Sequence, residues 1–124
     1  MRLMLVAGLA LALGAGVAHA DGDAAKGERI AKQCAACHSL NDASNKVGPS
    51  LLGVYGRKPA SVEGYAYSDA LKAFGEKNPA WDDATLDAWL KGPAADVPGN
   101  KMAYAGVKKD DARADLIAFL KTKK

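Results

Sequence analysis

Gln33-Cys34-Ala35-Ala36-Cys37-His38-Ser39 is the stretch on which the reading of this chain turns. Cys34-Ala35-Ala36-Cys37-His38 has the C-x-x-C-H form of c-type haem attachment. Each thiol adds across one haem vinyl group as a thioether. The two-residue spacer lets the sulfurs reach vinyls on adjacent pyrrole rings, and His38 is thereby carried under the iron as proximal ligand. Three other readings compete. A lone Cys34–Cys37 disulfide suits a secreted protein but leaves His38 unexplained. A thioredoxin-like pair expects a βαβ context, which the flanking sequence does not supply. A zinc site needs four ligands; only three soft candidates are here, and adjacent Cys37 and His38 are awkward for one tetrahedral ion.

Upstream, Met1 and Arg2 make a short positive region, an apolar stretch runs from Leu3 to about Val17, and Ala18-His19-Ala20 precedes Asp21. This pattern predicts a secretory signal peptide over 1–20, cleaved after Ala20. The apolar run is shorter than the ~20 residues a bilayer span needs and is rich in Gly and Ala, so no stable membrane insertion is expected. The expected mature chain, residues 21–124, is one small domain, a size that benefits from a cofactor or cross-link to supplement its core. Loss of Arg2 lowers the formal charge from +3 to +2. That balance, with no basic run interleaved with aromatics, argues against nucleic-acid binding. Processing also removes His19, Met1 and Met4, so the soft and imidazole ligands left are Cys34, Cys37, His38 and Met102.

Hydrophobic spacing predicts an all-helical chain. Gly27, Ile30, Ala31 and Cys34 share one helical face behind an N-cap at Asp23. Residues 39–66 are dense in Gly, Pro, Ser and Asn and show no strand alternation. A short helix is predicted from Ser68 to about Phe74. A clearer one is capped by Asp82 or Asp83, carries Leu86, Trp89 and Leu90 on one face, and stops at Gly92-Pro93. Pro93 to Val107 reads as loop. The last helix starts near Asp110-Asp111 and ends in Lys121, Lys123 and Lys124, charges that complement its dipole. Its predicted buried stripe is Ala112, Leu116, Phe119 and Leu120. Loops this long are unusual in so small a domain, and a large apolar cofactor wrapped by them accounts for their length.

Low-spin electron-transfer haems take a second axial ligand, and a thioether there raises the potential. Met102 lies in the loop Val97-Pro98-Gly99-Asn100-Lys101-Met102-Ala103-Tyr104, off any helical stripe, and is the predicted sixth ligand. A gap-filling core methionine is the ordinary alternative; a lysine or an open site is the alternative ligation.

With these residues in place, the chain resembles class I c-type cytochromes, within them the bacterial cytochrome c2 and mitochondrial cytochrome c group. The matching segments, in family order, are the C-x-x-C-H motif, Lys46-Val47-Gly48-Pro49-Ser50-Leu51, Tyr55-Gly56-Arg57-Lys58, Gly64-Tyr65-Ala66-Tyr67-Ser68-Asp69-Ala70, Trp81, Pro98-Gly99-Asn100-Lys101-Met102 and Asp115-Leu116-Ile117-Ala118-Phe119-Leu120. The resemblance implies a class I cytochrome c fold, with about four to five short helices and long loops around one covalent haem. It implies that the Pro49 carbonyl accepts from His38 Nδ1. It further implies that Tyr67, Trp81 and Arg57 hydrogen-bond a buried haem propionate, whose charge is otherwise costly in an apolar interior, and that the first and last helices cross near Gly27. Departures are Asn100, where the family often has Thr, Trp89, where a Tyr commonly approaches the Met sulfur, and a longer stretch at Leu71–Ala80.

The function so implied is a periplasmic single-electron carrier, monomeric and not an enzyme. It would exchange electrons with a bc1-type complex and with a terminal oxidase, photosynthetic reaction centre or dehydrogenase. Docking would use a lysine patch of Lys32, Lys101, Lys108 and Lys109. A peroxidase-like haem enzyme is the alternative; it needs an unbound Met102 and a distal acid/base, and the mature chain offers no second histidine.

Overall fold

The computed structural model describes residues 22–124. The signal segment 1–20, its cleavage site and Asp21 lie outside the described residues. Five α-helices and a 3₁₀ turn follow one another, with no strand among the described residues: α1 (Ala24–Ala31), the turn (Cys34–Ala36), α2 (Asp69–Lys77), α3 (Asp83–Lys91), α4 (Pro93–Asp96) and α5 (Asp110–Lys121). The all-helical expectation holds.

Each helix start has a chemical cause. The Asp23 carboxylate accepts from the backbone N–H groups of Ala25 and Lys26 and opens α1, satisfying donors that have no intrahelical partner. Ser68 does the same for Leu71 at α2. Of the two candidate caps for α3, Asp82 is the one used. Its side chain accepts from Thr85 N, while the Thr85 hydroxyl oxygen accepts from Asp82 N, a reciprocal capping box.

The structure departs from the sequence reading in four places. α1 stops at Ala31, so Cys34 lies in the 3₁₀ turn and not on the predicted face of the first helix. α2 continues three residues past Phe74 because Gly75 is not a breaker here. It packs against backbone, and a Cβ on it would sit 2.3 Å from the Pro59 carbonyl oxygen. The segment predicted as continuous loop from Pro93 contains α4, one helical turn begun by Pro93, whose ring presets the first helical φ. In α5 the buried set is Arg113, Leu116, Ile117, Phe119 and Leu120, while Ala112 is only half-buried. The buried arc is wide because α5 packs against both α1 and α3.

α1 and α5 cross at Gly27, as the resemblance implied. A Cβ on Gly27 would lie 1.9 Å from the Asp115 carbonyl oxygen, which no side chain allows. The Asp23 backbone N–H also donates to the Asp115 carboxylate at 2.7 Å, so the cap of α1 reaches α5 directly. Beneath this crossing lie Ala31, Leu116 and Leu120, and beyond them an aromatic run of Phe74, Trp81 and Trp89 with neighbouring ring centroids 5.4 and 5.5 Å apart. The long segment between the 3₁₀ turn and α2 is tied down by side-chain bonds within it and by backbone hydrogen bonds to distant carbonyls, such as Gly56 N to Trp81 O at 2.7 Å and Gly53 N to Lys123 O at 2.6 Å.

Candidate functional site

The two cysteines sit at either end of the 3₁₀ turn. Cys37 N donates to Cys34 O at 3.1 Å and His38 N to the same oxygen at 2.9 Å. A 3₁₀ helix has three residues per turn, so positions i and i+3 eclipse. Cys34 and Cys37 therefore project to one side. The two cysteines do not pair as a disulfide. Burial pushes the Cys34 thiol pKa above its ordinary value, and a backbone hydrogen bond at Cys34 itself offsets part of that.

His38 follows the turn into a seat made by the segment 46–51. Gly48 N donates to Cys37 O at 2.8 Å and Leu51 N to Ser39 O at 2.9 Å, so this segment doubles back along the turn. The imidazole lies directly on Gly48, where a Cβ would fall 2.3 Å from Cε1. Nδ1 is 2.6 Å from the Pro49 carbonyl oxygen. A carbonyl only accepts, so the proton sits on Nδ1 and the Nε2 lone pair is left for a ligand bond. Desolvation lowers the His38 pKa; the Pro49 hydrogen bond opposes that, and the positive charge of Arg57 reinforces it.

Cys34, Cys37, His38, Pro49 and Met102 line one cavity of about 280 Å³. Its other walls are largely apolar, with Leu51, Val54, Leu71, Leu86, Leu90 and Leu120 contributed by four different parts of the chain. Exposed Cys37, Val47 and Lys101 mark its rim. Two thiols at eclipsed positions, an imidazole with Nε2 free and a thioether are the donor set a covalently attached haem uses, and the apolar walls suit its macrocycle. The residues present fit the group.

Of the residues expected near a propionate, Tyr67 and Trp81 line this cavity and Arg57 does not. The Arg57 guanidinium is half-buried, with Nη1 donating to Leu52 O at 3.3 Å. Its charge is still felt in the site, because it favours the ionised form of Tyr67. The Tyr67 oxygen accepts from Val62 N at 3.0 Å, which leaves its O–H proton to donate. Burial is the main influence on Tyr67 and raises its pKa. Trp89 is buried in the cavity wall beside Trp81.

The four lysines are exposed, but their amines are engaged differently. Lys101 is at the rim, with Nζ donating to Ala66 O at 3.2 Å. Lys108 Nζ turns onto the carbonyls of Lys91 and Ala105 at 2.7 and 2.8 Å. Lys32 and Lys109 lie in solvent.

Sequence reasoning missed several residues that shape the site. Gly48 was quoted as a motif member without its role as the imidazole seat. The Tyr104 hydroxyl donates to Gln33 Oε1 at 3.1 Å, bridging the Met102 loop to the residue before Cys34. Arg113 is 3% exposed and reaches the carbonyls at the far end of the Met102 loop. Its i, i+3 spacing from Asp110 was the available signal.

Comparison with known proteins agrees with this geometry. The cytochrome c family profile matches residues 24–124. The chain is 49% identical to a cytochrome c of Gibberella zeae, over 82% of this chain and 95% of that protein. It is 44% identical to cytochrome c-554 of Methylosinus trichosporium, over 95% of this chain and 88% of that one. Cytochrome c2 of Blastochloris viridis is 46% identical, over 80% and 76% respectively. Among solved structures, cytochrome cH from Methylobacterium extorquens superposes with a TM-score of 0.75 at 47% identity, over 82% of this chain and all of that one. The chain therefore belongs to the cytochrome c family: an electron-transfer protein rather than an enzyme, with one haem c bound covalently through Cys34 and Cys37.

Proposed function

We propose that the chain is a periplasmic carrier in which His38 and Met102 are the two axial ligands of the iron. The observation that carries the ligation is the 2.6 Å contact from His38 Nδ1 to the Pro49 carbonyl in a cavity that Met102 also lines. The haem supplies a one-electron couple. The chain's own contribution is to hold the imidazole in one tautomer, to keep water from the iron with apolar walls, and to offer a neutral thioether that favours the reduced state. Tyr67, whose O–H proton is left to donate, and Trp81 would satisfy a propionate, and Arg57 would add positive charge nearby.

Export rests on the signal pattern over 1–20, with cleavage after Ala20, leaving a domain of residues 21–124. The partners would be larger redox assemblies: a bc1-type complex as donor, and a terminal oxidase, photosynthetic reaction centre or dehydrogenase at the other terminus. An acidic docking face would meet Lys32, Lys101, Lys108 and Lys109, with attraction that fades as salt is added.

Carbon monoxide tests the ligand set. The ferrous wild type is expected to resist it at neutral pH, and the ferric form to show a thioether charge-transfer band. Met102→Ala should bind carbon monoxide readily and lose the band. Ready binding by the wild type would remove Met102 from the iron. The intact mass of holoprotein recovered from the periplasmic fraction checks whether the chain begins at Asp21.

A further inference from the structure

Asn100 lies two residues before Met102, in a segment that neither helix nor strand supports. Its side-chain amide makes three hydrogen bonds, all to backbone. Nδ2 donates to Pro93 O at 2.9 Å and to Val97 O at 2.8 Å, and Oδ1 accepts from Met102 N at 2.7 Å. Its own N–H adds a bond to Val97 O at 3.1 Å. Pro93 opens α4 and Val97 closes it, and both are buried. One planar amide therefore ties both ends of the α4 turn to the backbone of Met102. Between them, Gly99 turns the chain at φ +89°, which brings residue 100 back over α4.

The chemistry of this position is specific to an amide. A primary amide has two donor hydrogens and a separate acceptor oxygen, and here both ends are in use. A hydroxyl has one hydrogen and serves one of the two carbonyls. A carboxylate has none and would set an oxygen against both.

We propose that Asn100 is the positioning residue for Met102, acting through the Met102 backbone N–H to set where the thioether enters the cavity. It holds the loop against α4, and the ease of displacing the sulfur depends on it. The inference rests on Met102 being an axial ligand.

The test uses ferric holoprotein in four forms: wild type, Asn100→Thr, Asn100→Ala and Met102→Ala. Amide exchange at Met102 is read alongside the affinity for imidazole and the melting temperature. In Asn100→Ala the Met102 amide should exchange faster and imidazole should bind about tenfold more tightly, the equivalent of losing one or two net hydrogen bonds. Asn100→Thr should fall between Asn100→Ala and wild type, while exchange in α1 and α5 stays at the wild-type level. Unchanged Met102 exchange with imidazole affinity within twofold of wild type would overturn the proposal. So would a loss of protection spread equally over α1 and α5, which marks a general destabilisation. Imidazole affinity in Met102→Ala equal to that of wild type would instead sink the ligand assignment, whatever Asn100 does to exchange.

Discussion

The crossing of α1 with α5 and the loop that carries Met102 are both essential to the site, yet different forces hold them. At the crossing, Gly27 brings two helices into backbone contact, and Leu116, 0% exposed, and Ala31 fill the space below. The energy there is spread over many apolar atoms and cannot be removed piecemeal. The loop has few such contacts. Individual polar links hold it: the Asn100 amide, the Arg113 guanidinium on the carbonyls of Val107 and Lys108, Val107 N on Leu90 O at 2.7 Å, and Tyr104 on Gln33. A hydrogen bond contributes about 1 kcal/mol net, so such a segment opens at lower free energy than the helical pair. Global stability and local opening of the Met102 loop are thus expected to depend on largely separate sets of contacts.

The sharpest attack on that division is Gly27→Val. The added carbon meets a carbonyl oxygen that belongs to a helix and cannot swing away. Separating the helices should cost about 4 kcal/mol or more, a large part of a small domain's stability. Denaturant unfolding of the ferrous holoprotein measures it. A loss below about 1 kcal/mol would mean the crossing tolerates separation and does not dominate the fold.

Arg113→Ala strikes where the two regions meet. The guanidinium belongs to α5, yet Nη1 donates to Val107 O at 3.0 Å and Lys108 O at 3.1 Å, while Nε pairs with Asp87 at 2.8 Å and Nη2 with Asp110. Truncation removes the donor from two loop carbonyls and leaves Asp87, half-exposed, without its cation. About 2–3 kcal/mol should be lost, with imidazole affinity rising as well. Arg113→Lys should recover only part of this, because one ammonium does not reproduce the fork of donors. If Arg113→Ala lowered stability and left imidazole binding untouched, the loop would be independent of α5.

The smallest effect is expected from Asp82→Ala, at the start of the helix that touches both regions. Loss of this cap should cost about 1 kcal/mol at neutral pH. Hydrogen bonds from the Thr85 N–H and hydroxyl hold the folded Asp82 pKa below its ordinary value. A depressed folded pKa adds stability that is present above the unfolded pKa, near 4, and lost as pH falls through the lower folded value. The gap between wild type and variant should therefore narrow under acid in urea titrations. A gap independent of pH would mean the carboxylate charge plays no part in the cap.

Short-range chemistry was legible without the fold. Asp23, Ser68 and Asp82 cap helices because a side-chain oxygen reaches an N–H only two or three residues away. The same local logic reads Pro93 only as the stop of α3 and the start of a loop. Whether a proline merely ends one helix or also starts the next depends on what packs alongside.

The cofactor is legible from the chain alone, because Cys34, Cys37 and His38 fall within one five-residue unit whose spacing is the chemistry. So is the remaining thioether donor in residues 22–124, Met102. Packing between distant segments set the imidazole on Gly48, kept the Arg57 guanidinium off the cavity lining, and engaged both ends of the Asn100 amide with α4 and Met102. Those outcomes depend on the distances between segments far apart in the chain. Such distances follow from how the helices pack around the cavity, and a one-dimensional pattern carries no record of them.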